Sequence, residues 1–255
     1  MKILILATKN EAVERTVRLL HTAIRKKPNL VLGLATGGTM LDVYQSFAKS
    51  ALSAGLETDK LTTFNLDEYI GLPANHPQSY RTYMNDNLFA NLNIPLSQTY
   101  IPRGDALDPE EEAHRYEALL SAAGGLDFQL LGLGENGHIG FNEPSSSLAS
   151  RTRVKTLTRS TRDANRRYFG CDEGVPKLAI TMGIRSIMDA KSIVLLATGS
   201  EKAQAVFDMI EGPVSASCPA SALQFHQNTT IILDQSSAAE LRNTEYYQHV
   251  HKDGV

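Results

Sequence analysis

Residues 131–144, LGLGENGHIGFNEP, place a histidine and a carboxylate where acid/base chemistry can be done. An apolar run breaks into four glycines, Gly132, Gly134, Gly137 and Gly140, and delivers His138 and Glu143 into the loop between and after them. Glycine lets a backbone turn sharply and come close to a ligand. Histidine is the side chain whose ordinary pKa lies nearest neutrality. A carboxylate five residues on can orient it or share its proton. The bland alternative is a structural histidine hydrogen-bonded among glycines, so the other loops decide between the two.

Residues 132–137, GLGENG, also fit G-x-G-x-x-G, the dinucleotide fingerprint, and follow a strand as that motif requires. The fingerprint needs a helix opening at its glycines and an acid about 20 positions later. Here HIGFNEPSSS follows, with a proline and three serines where the helix should run, and VKTLT near position 157 holds no acid. A nicotinamide cofactor is not expected.

Two further loops carry functional groups. Thr36-Gly37-Gly38-Thr39 precedes a predicted helix. Its glycines let successive amides face outward, Thr39 can donate or cap, and the helix dipole favours an anion. With no G-K-[ST] it is not a nucleotide P-loop, and a sugar phosphate suits it better. Arg166, Arg167 and Lys202 are candidate cations for that phosphate. Lys202 falls in the first turn of a predicted helix, where a cation suits the dipole only beside an anion. Asp67 and Glu68 leave the end of LTTFNL. Strand alternation sends one of the pair toward the ligand side, and Asp67, sharing the face of Thr63 and Asn65, is expected there.

These loops need a scaffold, and the pattern supplies one. Strands are expected at 2–7, 30–35, 61–66, 128–133, 153–157, 178–181, 192–198 and 229–233. Helices are expected at 11–26, 40–54, 78–92, 108–123, 162–169 and 200–210. Runs such as LLGLG and IVLLAT are apolar throughout, as strands buried on both faces are, so the fold predicted is an α/β three-layer αβα sandwich around a mostly parallel, Rossmann-like sheet. Such sheets bind ligands beyond the carboxyl ends of their strands, which would gather the three loops in one cleft.

With 255 residues, 42% hydrophobic and 21% charged, the chain fits one large domain over 1–255, with a polar tail from about 242. A net charge of −3 with dispersed signs implies neither nucleic acid nor an acidic tail. Cys171 and Cys218 are too far apart for a C-x-x-C site and fit a reduced compartment. MKILILAT is too short for a signal peptide, and no run approaches a membrane span, so a cytoplasmic protein is expected.

LGLATGGT, FNLDEYIGLPANHPQSY, LGLGENGHIGFNEPSSSLASRTRVKTLT, TRDANRRYF, VPKLAITMGI and GSEKA, in this order, resemble the glucosamine-6-phosphate deaminase (isomerising) family over about residues 30–234. The resemblance implies an aldose–ketose isomerisation coupled to deamination: D-glucosamine 6-phosphate and water give D-fructose 6-phosphate and ammonium, a step of amino-sugar catabolism. It implies Asp67, Asn136, His138 and Glu143 as the catalytic set. His138 would deliver a proton to the ring oxygen, with Glu143 and Asn136 as its partners, while Asp67 moves a proton from C2 to C1. Thr36, Gly37, Gly38, Thr39, Tyr80, Arg167 and Lys202 would bind substrate. No metal and no cofactor is implied. Some members are hexamers activated by N-acetylglucosamine 6-phosphate, and Ser146, Arg153, Lys155 and Thr156 match their effector-phosphate residues, so a homo-oligomer with that effector is an expectation. The tail tyrosine of those members has no clean match; Tyr246 and Tyr247 lie near it but out of register. Many members carry Asp where Asn136 stands, which would make His138 less basic here and shift more of the relay to Glu143. Many carry Pro where Met40 stands, which would soften the helix start. A 6-phosphogluconolactonase of the same fold is the alternative, lacking the glutamate of NEP and the DEY–GLP block. A sugar-phosphate-sensing regulator would need an added DNA-binding domain.

Overall fold

The computed structural model describes residues 1–170 and 174–251; Cys171 and the last four residues of the tail lie outside them. Strands run β1 (Lys2–Leu6), β2 (Val31–Leu34), β3 (Thr62–Asn65), β4 (Asp67–Tyr69), β5 (Thr99–Tyr100), β6 (Phe128–Gly132), β7 (Arg153–Thr156), β8 (Leu178–Thr181), β9 (Ile193–Ala197) and β10 (Thr229–Asp234). Helices run α1 (Lys9–Lys26), α2 (Gly38–Ser53), α3 (Tyr80–Met84), α4 (Ala90–Leu92), α5 (Pro109–Ala122), α6 (Arg159–Asn165), α7 (Ile184–Met188), α8 (Ala203–Ile210) and α9 (Thr244–Val250).

Seven strands form a parallel sheet in the order β1-β10-β9-β6-β2-β3-β5. The fully apolar runs sit in its middle: every residue of β2 and β9 is buried, which is why they lack alternation. Helices cover both faces. α1 buries Val13, Val17, Leu20 and Ile24 on one stripe, and Thr8 caps it by accepting from the Glu11 amide at 3.2 Å. α5 starts at Pro109 behind Asp108, whose carboxylate accepts from Glu110 and Glu111, and sets Tyr116 edge-on against Phe64. From β2 the chain proceeds outward through β3 to β5; from β6 it proceeds the other way through β9 to β10. The reversal lies between β2 and β6, the crevice where such sheets take ligands.

Three departures from the sequence expectation matter. The strands expected at 153–157 and 178–181 do not join the main sheet; with β4 they make a three-stranded antiparallel sheet, β4-β8-β7. A second small core forms there from Tyr69, Leu72, Phe141, Leu157, Phe169, Val175 and Ala179. The helix expected at 78–92 is α3, a π-turn over Asn85–Phe89 and then α4, ended by Asn93 with φ of 54°. The helix expected at 162–169 starts earlier and ends as a tighter turn, Arg166–Tyr168. The tail holds a short helix, α9, whose Tyr247 hydroxyl donates to Glu211 at 3.0 Å. No helix of the described residues is long and apolar enough to cross a membrane.

Candidate active site

A cleft of about 1030 Å³ opens over the carboxyl ends of β2, β6, β9 and β10, and the loops that follow them line it. After β2, Gly37 takes φ of 105°, a conformation that a side chain would strain, and so starts α2 directly. Of the two roles open to Thr39, donor or cap, it does not cap that helix; no side chain among the described residues does, and the amino end of α2 faces the cleft. Gly38 sits against the opposite wall. A methyl there would lie 3.2 Å from Tyr168 Oη and 3.7 Å from Arg167 Nη2. The Arg167 guanidinium lies 4.9 Å from the centre of the Tyr168 ring. Lys202 lines the same space from the turn before α8, with Nζ 3.9 Å from Glu135 Oε1. Burial lowers its pKa, while Glu135 and Glu201 oppose that. An uncapped helix start, a guanidinium and a half-buried ammonium together suit a phosphate.

Asp67 lines the cleft, although the reason differs from strand alternation. β3 ends at Asn65, and the chain changes sheets at Leu66, whose amide still bonds Leu34 of the main sheet while its carbonyl accepts from Met182. Thr63 and Asn65 are fully buried away from the cleft, and Asp67 opens β4 opposite Thr181. Gly140, two residues after His138, backs it: a methyl there would be 3.1 Å from Asp67 Oδ2 and 3.2 Å from Thr181 Oγ1. Burial and the adjacent Glu68 push the Asp67 carboxyl up to about 8, against the opposing bonds from the Phe141 amide and Thr181. Tyr80 closes this side, its ring stacked on Phe141 at 5.8 Å and tilted against Tyr69 at 5.0 Å. Burial holds its hydroxyl well above the usual tyrosine pKa, so it stays a phenol.

His138 comes from the loop after β6. No helix follows the glycines of 132–137, which removes the dinucleotide reading. The imidazole lies directly on Gly134, where a methyl would come within 2.3 to 2.4 Å of three ring atoms; glycine is required there by space. His138 Nδ1 is 2.6 Å from Asn136 Oδ1 and 3.6 Å from Glu143 Oε2. Asn136 Nδ2 donates to Glu143 Oε2 at 2.9 Å. A carboxylate can only accept, so Glu143 fixes which end of the Asn136 amide faces the histidine. Asn136 Oδ1 then accepts from Nδ1–H and leaves Nε2 as the end that gains or loses a proton. Glu143 itself is buried behind the cleft wall. Burial pushes its carboxyl up, yet the nearby His138 and the Thr161 and Asn136 donors outweigh this and hold it at about 2. Its Oε1 also accepts from the Thr158 amide and hydroxyl at 3.0 and 3.1 Å.

The cleft thus gathers Thr36, Gly37, Gly38, Thr39, Asp67, Tyr80, Asn136, His138, Arg167 and Lys202. Met40 also lines it and is buried at the start of α2. The four residues matched to an effector site lie outside the cleft. Arg153 Nη1 donates to Asn142 Oδ1 at 2.9 Å, in the loop that carries Glu143. Arg153 Nη2 and Ser146 Oγ are buried without a hydrogen-bond partner among the described residues, Lys155 is half-buried and Thr156 is exposed on β7. Sequence reasoning missed Thr181 under Asp67, and Thr198 and Asp234 at the ends of β9 and β10. The last two were findable, since each follows an apolar run at the carboxyl end of a strand.

The family described as glucosamine-6-phosphate isomerases/6-phosphogluconolactonase matches residues 7–232. A glucosamine-6-phosphate deaminase of Shewanella woodyi is 48% identical over 253 residues, 99% of this chain and 96% of that protein. A solved structure, described as a monomeric glucosamine-6-phosphate deaminase, superposes with a TM-score of 0.92 at 45% identity, covering 94% of this chain and all 100% of that one. The 6-phosphogluconolactonase of Trypanosoma brucei superposes with a TM-score of 0.75 at 23% identity over 94% of this chain and 98% of its own, a likeness of fold alone. With the family matched across residues 7–232 and nearly half of all positions shared with a full-length relative, this chain belongs to the glucosamine-6-phosphate isomerase/6-phosphogluconolactonase family.

Proposed function

We propose that this protein is a glucosamine-6-phosphate deaminase, an enzyme acting on a C–N bond, that converts D-glucosamine 6-phosphate and water to D-fructose 6-phosphate and ammonium. The observation that carries the reading is the placement of the Asp67 carboxyl and the His138 imidazole in one cleft with an anion cradle. The substrate phosphate sits at the start of α2 between Arg167 and Lys202, which aims the sugar at Asp67 and His138. Protonated His138 gives its Nε2 proton to the ring oxygen as the C1 hydroxyl loses its own, and the ring opens to the aldehyde. Ionised Asp67 then takes the C2 proton, the C1 oxygen is protonated, and an enolamine forms. Return of that proton to C1 yields a C2 iminium; water adds there and ammonia leaves, so the electrons never leave the substrate. The lactonase alternative keeps only the fold-level likeness at 23% identity, whereas relatives near half identity carry the deaminase name.

Ammonia release from glucosamine 6-phosphate by the purified protein tests the reading, and no release at any pH between 6 and 9 would end it. The same assay addresses regulation and assembly. Ser146 Oγ and Arg153 Nη2, buried and unpartnered, support an effector phosphate held with Lys155 and Thr156 between copies of the chain. Activation by N-acetylglucosamine 6-phosphate is the expected result, with a larger species on a sizing column. A rate unchanged by that compound removes the effector, as the monomeric description of the solved relative would favour. The cytoplasm is the compartment that fits two well-separated cysteines, of which Cys218 is free and buried.

The phosphate assignment has its own expected result. Lys202→Ala should raise KM for glucosamine 6-phosphate by roughly 10- to 100-fold, the size of one charge-assisted hydrogen bond, while kcat changes little. An unchanged KM would move the phosphate elsewhere.

A further inference from the structure

Glu68 has no part in the chemistry above, yet its carboxylate is almost fully buried directly beside the proposed base. A buried carboxylate is costly unless each oxygen is satisfied. Here Oε1 accepts from the amides of Tyr69 and Tyr80, each at 2.9 Å, and Oε2 accepts from the Arg81 amide at 3.0 Å. Tyr80 and Arg81 are the first two residues of α3, and the third amide, Thr82, is met by Ser79 Oγ at 3.1 Å. Glu68 therefore caps α3 from 12 residues upstream and ties the 69–79 loop shut with Tyr80 at its end. The Arg81 guanidinium bonds Thr99 through both of its amino groups at 2.8 and 2.9 Å, and its charge also favours the ionised form of Glu68. Space is tight behind it as well: a methyl at Gly104 would come within 3.1 Å of Glu68 Cγ.

The charge has a second consequence. Asp67 is faced by Glu68 on β4, by the Thr181 hydroxyl on β8, by the Phe141 amide, and by the neutral phenols of Tyr69, Tyr80 on α3 and Tyr116 on α5. Two adjacent buried carboxyls titrate as a pair. Burial lifts the Glu68 carboxyl to about 7, but its three amide bonds favour its charged form, so it ionises first and leaves Asp67 the more basic member.

We propose that Glu68 is a positioning residue of the reaction: its carboxylate fastens α3 so that Tyr80 closes the cleft, and its charge strengthens Asp67 as a base. The inference rests on the deaminase reading, and wild-type turnover separates the two. A wild type without turnover refutes the reading; an active one whose pH profile ignores position 68 refutes only this inference.

The test is the pH dependence of kcat/KM for ammonia release in the wild type, Glu68→Gln and Glu68→Asp. Glutamine removes the charge and keeps one acceptor. Its acid limb should move to lower pH by about half a pH unit, most clearly between pH 7 and 8, where Glu68 is charged in the wild type, so at pH 7.5 it keeps a larger share of its own plateau than the wild type does. Its plateau kcat should fall, because the base is weaker. Aspartate keeps the charge but loses reach, so its limb should stay while KM rises. A Glu68→Gln limb superimposed on the wild type overturns the proposal. Should that variant fail to fold, Glu68→Asp decides alone: an unchanged KM overturns the positioning role, and a raised KM with an unmoved limb supports it.

Discussion

Asp67→Asn will lower turnover of glucosamine 6-phosphate by roughly 10³-fold or more while substrate still binds, because an amide cannot accept the C2 proton. The substitution is nearly isosteric, and its Oδ1 can still accept from the Phe141 amide or Thr181, the donors that face the carboxyl now. Solvent exchange of the C2 proton, followed in heavy water, isolates the step: it should vanish in the variant. Normal exchange would remove Asp67 as the base. The same substitution should stabilise the fold in a pH-dependent way. Asp67 ionises near pH 4 in an unfolded chain but is pushed up to about 8 in the fold. Between those values the unfolded chain has released a proton that the folded one keeps, so stability falls as pH rises across that window. Asparagine has no proton to lose. The melting temperature of Asp67→Asn should therefore exceed that of the wild type more at pH 8 than at pH 5. Equal differences at the two pH values would mean the carboxyl is not held protonated. Activity and stability oppose each other at this residue, as expected where a base is made strong by burial.

Much of this site was legible in the chain itself, for local reasons. Apolar runs without alternation mark the central strands, and the rule that ligands bind beyond strand ends brings the three loops together. What stayed hidden is non-local. Arg153–Thr156 and Leu178–Thr181 read as ordinary strands, and nothing in their residues says that they pair with each other and with Asp67–Tyr69. The expectation for Asp67 illustrates this. Alternation from Thr63 and Asn65 chose the right carboxylate for the cleft, although the chain switches sheets at Leu66 and breaks the alternation. Glu68 gave no signal because two of its three amide partners lie 12 and 13 residues away. The choice between donor and cap for Thr39 was hidden for a related reason: Gly37, at a φ open only to glycine, turns the chain into α2 with no side-chain cap, and that open helix end faces the cleft.

His138→Gln should separate ring opening from proton transfer at carbon. Glutamine can hold a hydrogen bond toward the ring oxygen but cannot deliver a proton and recover it, so turnover of the closed pyranose should fall by about 10²- to 10⁴-fold. An open-chain analogue needs no such delivery, and exchange of its C2 proton through Asp67 should drop far less. The argument depends on the order of the relay. Glu143, held charged by the groups around it, orients Asn136, and Asn136 in turn accepts from Nδ1, which leaves Nε2 as the nitrogen to serve a substrate. An aspartate at position 136 would place a full charge against the ring; asparagine leaves that to Glu143 at 3.6 Å, a weaker electrostatic hold on the imidazolium. Equal losses on the closed and open substrates would assign His138 to binding or to the carbon step.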